Sequence, residues 1–171
     1  MGQLKKPGNP QAYGYVAADT ILNGAFACWD PTATAYTQTG ANGAARPLHA
    51  GIGSSGAFFL GVFQATQPIA SGIDNAAPLA PPTRLTVQRE GIFPFLTTPS
   101  ETYVHGTVVY APNAGDANGQ DFFITTVSSG NTKIGYINLP GGESVTGAAG
   151  LTIDVELTPD TTKQSAGILS A

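Results

Sequence analysis

The residues able to do chemistry in this chain are few and widely spaced. Gly51-Ile52-Gly53-Ser54-Ser55-Gly56 has the spacing G-x-G-x-x-G. As a dinucleotide fingerprint that spacing needs a strand before it, a helix after it and a βαβ frame. Here Ala57-Phe58-Phe59-Leu60-Gly61 follows, which is strand-like, so the glycines predict a hairpin turn. A phosphate-binding Walker loop requires Lys-Ser/Thr at its end, and Ala57-Phe58 stands there instead. Asp116-Ala117-Asn118-Gly119-Gln120-Asp121 sets oxygen ligands at alternate positions, as part of a calcium loop would. It lacks the later bidentate Glu and the flanking helices, so it reads as a turn.

Other catalytic and metal patterns fail in the same way. His49 and His105 are the only histidines, with no H-x-x-E-H spacing and no cysteine pair to build a zinc site. There is no G-x-S-x-G nucleophile elbow. Asp154 and Glu156 alternate along one segment, which places them on the solvent face of a strand rather than across a substrate. Cys28 is alone, cannot form an intrachain disulfide, and sits in an apolar run as a small core residue. The expectation is a protein that is not an enzyme, with no catalytic residues, no cofactor and no metal.

The composition predicts a surface made for contact. Of the 171 residues, 42% are hydrophobic and only 11% charged, against roughly 25% charged in ordinary globular chains. Neutral Thr, Ser, Asn, Gln, Gly and Ala must cover much of the surface, which suits subunit contacts because little charge is desolvated. The net charge is −4. Seven basic residues lie scattered (Lys5, Lys6, Arg46, Arg84, Arg89, Lys133, Lys163), which argues against nucleic-acid binding. No apolar run approaches the ~20 residues of a membrane span. Lys5-Lys6 leads into Pro7-Gly8-Asn9-Pro10 rather than an apolar stretch, so no signal peptide is expected and synthesis in a cytoplasm is.

The elements that would position any site are short β-type runs. Residues 1–17 read as an N-terminal arm, broken by Pro7, Gly8, Asn9, Pro10 and Gly14, with Tyr13, Tyr15 and Val16 able to anchor it on a neighbour. Strands are expected in 20–29, ending at Asp30-Pro31, and in 36–39, 48–52 and 57–64. Pro68 to Pro82 reads as a long loop. Arg84 to Gln88 alternates, with Leu85 and Val87 on one face and Arg84, Thr86 and Gln88 on the other. Further strands are expected over 92–96, 103–110, 122–127 and 133–138. In 151–157, Leu151, Ile153, Val155 and Leu157 point inward and Thr152, Asp154 and Glu156 outward. No window has helical periodicity. About eight to ten strands with turn-bounded spacing predict an all-β fold, a small barrel or sandwich over 18–157, followed by a polar tail over 158–171. Glycines recur inside the apolar runs, as in Leu60-Gly61-Val62-Phe63, Glu90-Gly91-Ile92-Phe93 and Ile134-Gly135-Tyr136-Ile137, and suit tight strand bends.

The order of these pieces resembles the bacteriophage capsid decoration (cement) proteins, in particular the DUF2190-like group of small β-rich head-stabilising proteins. The matching pieces are Ile21-Leu22-Asn23-Gly24-Ala25-Phe26, Leu60-Gly61-Val62, Gly91-Ile92-Phe93, Gly106-Thr107-Val108-Val109-Tyr110, Ile134-Gly135-Tyr136-Ile137 and Val155-Glu156-Leu157, within 18–157. Thr107 stands where that family leads one to expect an acidic residue, and the 68–82 excursion and the proline-bearing arm are additions. The resemblance implies a β-tulip-like domain and a homotrimer. The trimer would sit on the outer surface of an icosahedral head in the virion, its partner being the major capsid protein. A different class of function, a receptor- or carbohydrate-binding module of a head or tail fibre, fits the same Gly/Thr-rich β composition. The single tryptophan, Trp29, argues mildly against it.

Overall fold

The computed structural model describes residues 10–12, 24–34, 40, 43–47, 58–65, 85–112 and 123–158. These form twelve strands and no α-helix. A half-barrel sheet has the order β1-β5-β4-β2-β3, from β1 (Pro10–Ala12), β2 (Phe26–Asp30), β3 (Ala44–Pro47), β4 (Phe58–Ala65) and β5 (Leu85–Gln88). A nearly closed barrel sheet has the order β8-β10-β12-β6-β9. Its strands are β6 (Gly91–Thr97), β8 (Val108–Ala111), β9 (Phe123–Ile124), β10 (Thr132–Ile137) and β12 (Thr152–Leu157). The two edges of that sheet meet where Tyr110 and Thr125 exchange backbone hydrogen bonds of 2.9 Å in each direction. A small antiparallel pair, β7 (Thr102–Val104) with β11 (Ser144–Thr146), forms a third sheet.

The all-β expectation is borne out, and several local expectations are revised. The segment 103–110 is not one strand: His105-Gly106-Thr107 turns the chain between β7 and β8, with Gly106 at a φ of 76° that favours glycine. The run 122–127 keeps only two ladder residues before its single bridge at Thr125. Gln88 lies on the face opposite Val87, as the alternation predicts, but that face is buried as well, and its amide donates to the Glu90 carbonyl at 3.0 Å. The strand at Ala44–Pro47 arises in a run with no alternation to announce it. The expected strands at 36–39 and 48–52 and the 68–82 loop lie outside the described residues. By contrast, β12 keeps the expected alternation, with Ile153, Val155 and Leu157 buried.

The two large sheets repeat one another. In the first, β2, β4, β5 and β1 are consecutive neighbours; in the second, β8, β10, β12 and β6 are. In each, the strand order and the antiparallel sense agree. Ala27 pairs with Gly61 as Val109 pairs with Gly135. One residue before each of these glycines the register shifts, leaving Leu60 and Ile134 as the extra residue of a β-bulge. At both glycines a Cβ would run into the backbone of the next strand: the Gln88 carbonyl for Gly61 and the Glu156 carbonyl for Gly135. The loops entering β2 and β8 match as well. Gly24 N–H donates to the Phe63 carbonyl at 2.8 Å and Gly106 N–H to the Ile137 carbonyl at 2.8 Å. Phe63 N–H returns to Ala25 at 2.9 Å and Ile137 N–H to Thr107 at 2.9 Å.

Each repeat has its own interior. Ala25, Ala27, Ala45, Leu60, Phe63 and Val87 form one buried cluster in the first. Their counterparts Val109, Ile124, Ile134, Ile137 and Val155 lie in the larger cluster of the second, with Phe93, Phe95 and Tyr103. Phe26, Cys28, Phe59 and Val62 point the other way from the first sheet and join that larger cluster. The rings of Phe26 and Phe95, 5.0 Å apart, mark the seam. Burial of such rings and branched side chains, at roughly 25 cal/mol per Å² of apolar surface, holds the two units together.

Candidate functional site

The groups with chemical potential are dispersed or committed to the fold. The motifs at 51–56 and 116–121, and His49, lie outside the described residues. His105 is exposed on the β7–β8 turn, where Nδ1 accepts a hydrogen bond from the Leu139 N–H at 3.1 Å. Cys28 is buried, and burial pushes its thiol far up, which leaves no thiolate at neutral pH. Asp154 and Glu156 face outward from β12, as their spacing predicts. Among the described residues no group of three or more His, Cys, Asp or Glu could hold a metal ion.

One carboxylate that sequence reasoning passed over organises the barrel. Glu101, just before β7, accepts from Thr125 Oγ1 at 2.6 Å, Thr126 N at 2.6 Å and Thr126 Oγ1 at 3.0 Å. Tyr103 OH donates to it at 3.4 Å and to the Ile124 carbonyl at 2.7 Å, while Thr98 N–H donates to the Tyr103 oxygen at 2.9 Å. Burial alone would raise the Glu101 carboxyl, but the donors from Thr125, Thr126 and Tyr103 outweigh it and hold the group below the usual carboxylate range. Its role is to pin the 124–126 segment where the barrel edges meet. The signal was present in the sequence: Glu101-Thr102-Tyr103-Val104-His105-Gly106 repeats the pattern Asp19-Thr20-Ile21-Leu22-Asn23-Gly24.

Among the described residues, the exposed large apolar side chains are Val104, Phe123, Val127 and Tyr136, all in the second unit, whose outer wall is open. Cross-strand partners line up Val108, Tyr136, Glu156 and Ile92 in one row across β8, β10, β12 and β6. Val108 and Ile92 are half-buried, Glu156 is exposed, and Tyr136 keeps 37% of its surface open. Beside this row Tyr110 pairs with Lys133. The Lys133 ammonium lies 4.8 Å from the centre of the Tyr136 ring and 3.1 Å from its hydroxyl. Such a contact contributes about 0.5–1 kcal/mol at an exposed site.

Tyr13, Tyr15 and Val16, the expected neighbour contacts, lie outside the described residues. The arm just before them is not free over its described length: Pro10, Gln11 and Ala12 pair with Gln88, Val87 and Thr86 of the same chain, covering the outer edge of β5. Comparison with known protein families, curated proteins and solved structures yields no significant match for this chain.

Proposed function

We propose that this chain is a structural virion protein. In this reading it is a capsid decoration, or cement, protein that binds the outer surface of an icosahedral bacteriophage head as a homotrimer and stabilises contacts between capsomers. The observation that carries the reading is the wall just described, on a charge-poor all-β body: the row Val108, Tyr136, Glu156 and Ile92 is open to another subunit of the trimer, while Val104, Phe123 and Val127 are exposed outside that row and available to the shell. Little charge has to be desolvated when such a face is covered. A trimer touching several shell subunits gains avidity of roughly 10²–10⁴ over a single contact. Shell rupture then requires several contacts to break together. The partner is the major capsid protein, with neither nucleic acid nor membrane involved. Tyr13, Tyr15 and Val16 are assigned to contact with the shell or a neighbouring subunit.

The test is copy number in purified particles, measured by mass spectrometry against the major shell protein. Abundance comparable to the shell protein is expected. A handful of copies would favour a fibre-borne receptor- or carbohydrate-binding module, and absence from particles would overturn a virion role.

A further inference from the structure

We infer that the outer wall of the second unit, the row Val108–Tyr136–Glu156–Ile92 with Tyr110 and Lys133 beside it, docks head to tail against a second copy of this chain. The argument rests on the internal repeat. The equivalent row of the first unit is Phe26–Val62–Gln88, continued by the backbone of Pro10. That row is covered: Phe26 and Val62 are 1% exposed and Gln88 3%. Phe26 and Val62 are covered by the second unit of the same chain, whose buried cluster they join and whose Phe95 meets Phe26. One unit therefore uses this face to pack on the unit that follows it. The second unit has the same face, built by the same strands in the same register, and no third unit follows β12 within the described residues.

The residue differences fit a face that is wet before it docks. Phe59, Cys28, Val62 and Gln88 correspond to Lys133, Tyr110, Tyr136 and Glu156. A face joined covalently to its partner can be apolar throughout. A face that waits in solution needs polar tips over apolar bodies, and tyrosine supplies both. Lys133 and Glu156 bring one charge of each sign to the row, so no single-sign field opposes a second copy. Repeating the contact between the units from chain to chain is a heterologous association. It closes into a ring if the rotation allows and otherwise extends. This inference rests on the homo-oligomer in the proposed function and not on the shell.

The experiment is sedimentation equilibrium of the purified full chain at micromolar concentration. Tyr136→Glu, Tyr136→Ser and, as a control, Thr152→Glu on an exposed β12 position outside the row are compared with it. The wild-type chain is expected to associate. Tyr136→Glu should weaken association by at least about tenfold, Tyr136→Ser by less, and Thr152→Glu should leave it unchanged. If Tyr136→Glu does not fold, as judged by circular dichroism, Tyr136→Ser decides. A monomeric wild type, or association indifferent to Tyr136, overturns the inference. A monomeric wild type that still decorates particles at high copy number would do so while leaving the shell reading standing.

Discussion

The two units of this molecule share a backbone plan and differ in what fills and covers it. The first lines its interior with Ala25, Ala27 and Ala45 and remains a curled half-barrel among the described residues. The second sets Val109 and Ile124 at the places of Ala27 and Ala45, buries Tyr103 in its cluster, and closes almost completely. Register is common to both because it depends on a backbone device, a bulge followed by a glycine pressed on the neighbouring carbonyl. Burial differs because it depends on side-chain volume and on which body lies against the outer face. A repeated fold can therefore keep its ladder while one copy becomes a buried partner and the other presents a surface.

The glycine device offers the hardest test of this equivalence. Gly135→Ala and Gly61→Ala each force a methyl into a backbone carbonyl that cannot rotate away. Each should cost about 3 kcal/mol or more in denaturant unfolding. Gly61, with a φ of 152°, also stands where a side chain is strained, so its variant should suffer at least as much. If one alanine variant is tolerated, the two bulges are not equivalent.

Next in size is the clip that closes the second unit. Glu101→Gln retains the shape but replaces one of the two acceptor oxygens by a donor NH2, so either Thr125 or Thr126 loses its acceptor, and it should cost about 2 kcal/mol at neutral pH. Because the carboxyl is held below its ordinary value, the unfolded chain binds more protons in the window between the two. The stabilisation is fully present above the unfolded value, about 4.3, and is lost as pH falls through the lower folded value. Asp30 follows the same sign in the first unit. Burial raises it, but Thr32 and Arg46 bring it below the usual range. The difference between wild type and Glu101→Gln, followed by urea titration at stepped pH, should shrink on acidification.

A smaller effect separates the arm from the body. Removing residues 1–9 should leave stability within about 0.5 kcal/mol, since β1 survives. Removing 1–12 uncovers the β5 edge, and should increase aggregation measured by light scattering more than it lowers the unfolding midpoint. The smallest effect belongs to the exposed ribbon. Tyr136→Ser should change unfolding of the dissociated chain by no more than about 1 kcal/mol, the order of its contact with Lys133. A larger loss would mean that the ring is part of the second unit's core and not of its surface.

The all-β class was legible in the alternation of β12 and in the turn residues between the runs. Of the inward set, Ile153, Val155 and Leu157 are buried as the period of two requires, while Leu151, just ahead of the strand, is only half-buried. The bends at Gly61 and Gly135 were legible too, because glycine inside an apolar strand points to a bulge or close backbone approach. The burial of Gln88 was not legible, because its polarity fits a solvent face; the structure buries it and turns its amide onto the Glu90 carbonyl. The turn at His105-Gly106 was obscured by the apolar residues on both sides, although its echo at Asn23-Gly24 identifies it. Glu101 escaped because its partners lie in a segment 24–25 residues away, joined only when the barrel edges meet.

In both units the first strand pairs with the last: β1 with β5, and β6 with β12. During synthesis neither ladder can close until its whole unit has left the ribosome, and every intervening residue adds to the entropy of bringing the ends together. The first unit can close once Gln88 has emerged, while Phe26 and Val62 still lack the body that covers them. Until β12 follows, that nascent half presents an uncovered apolar sheet, so the period between the two closures is when this chain is most exposed to pairing with the wrong neighbour.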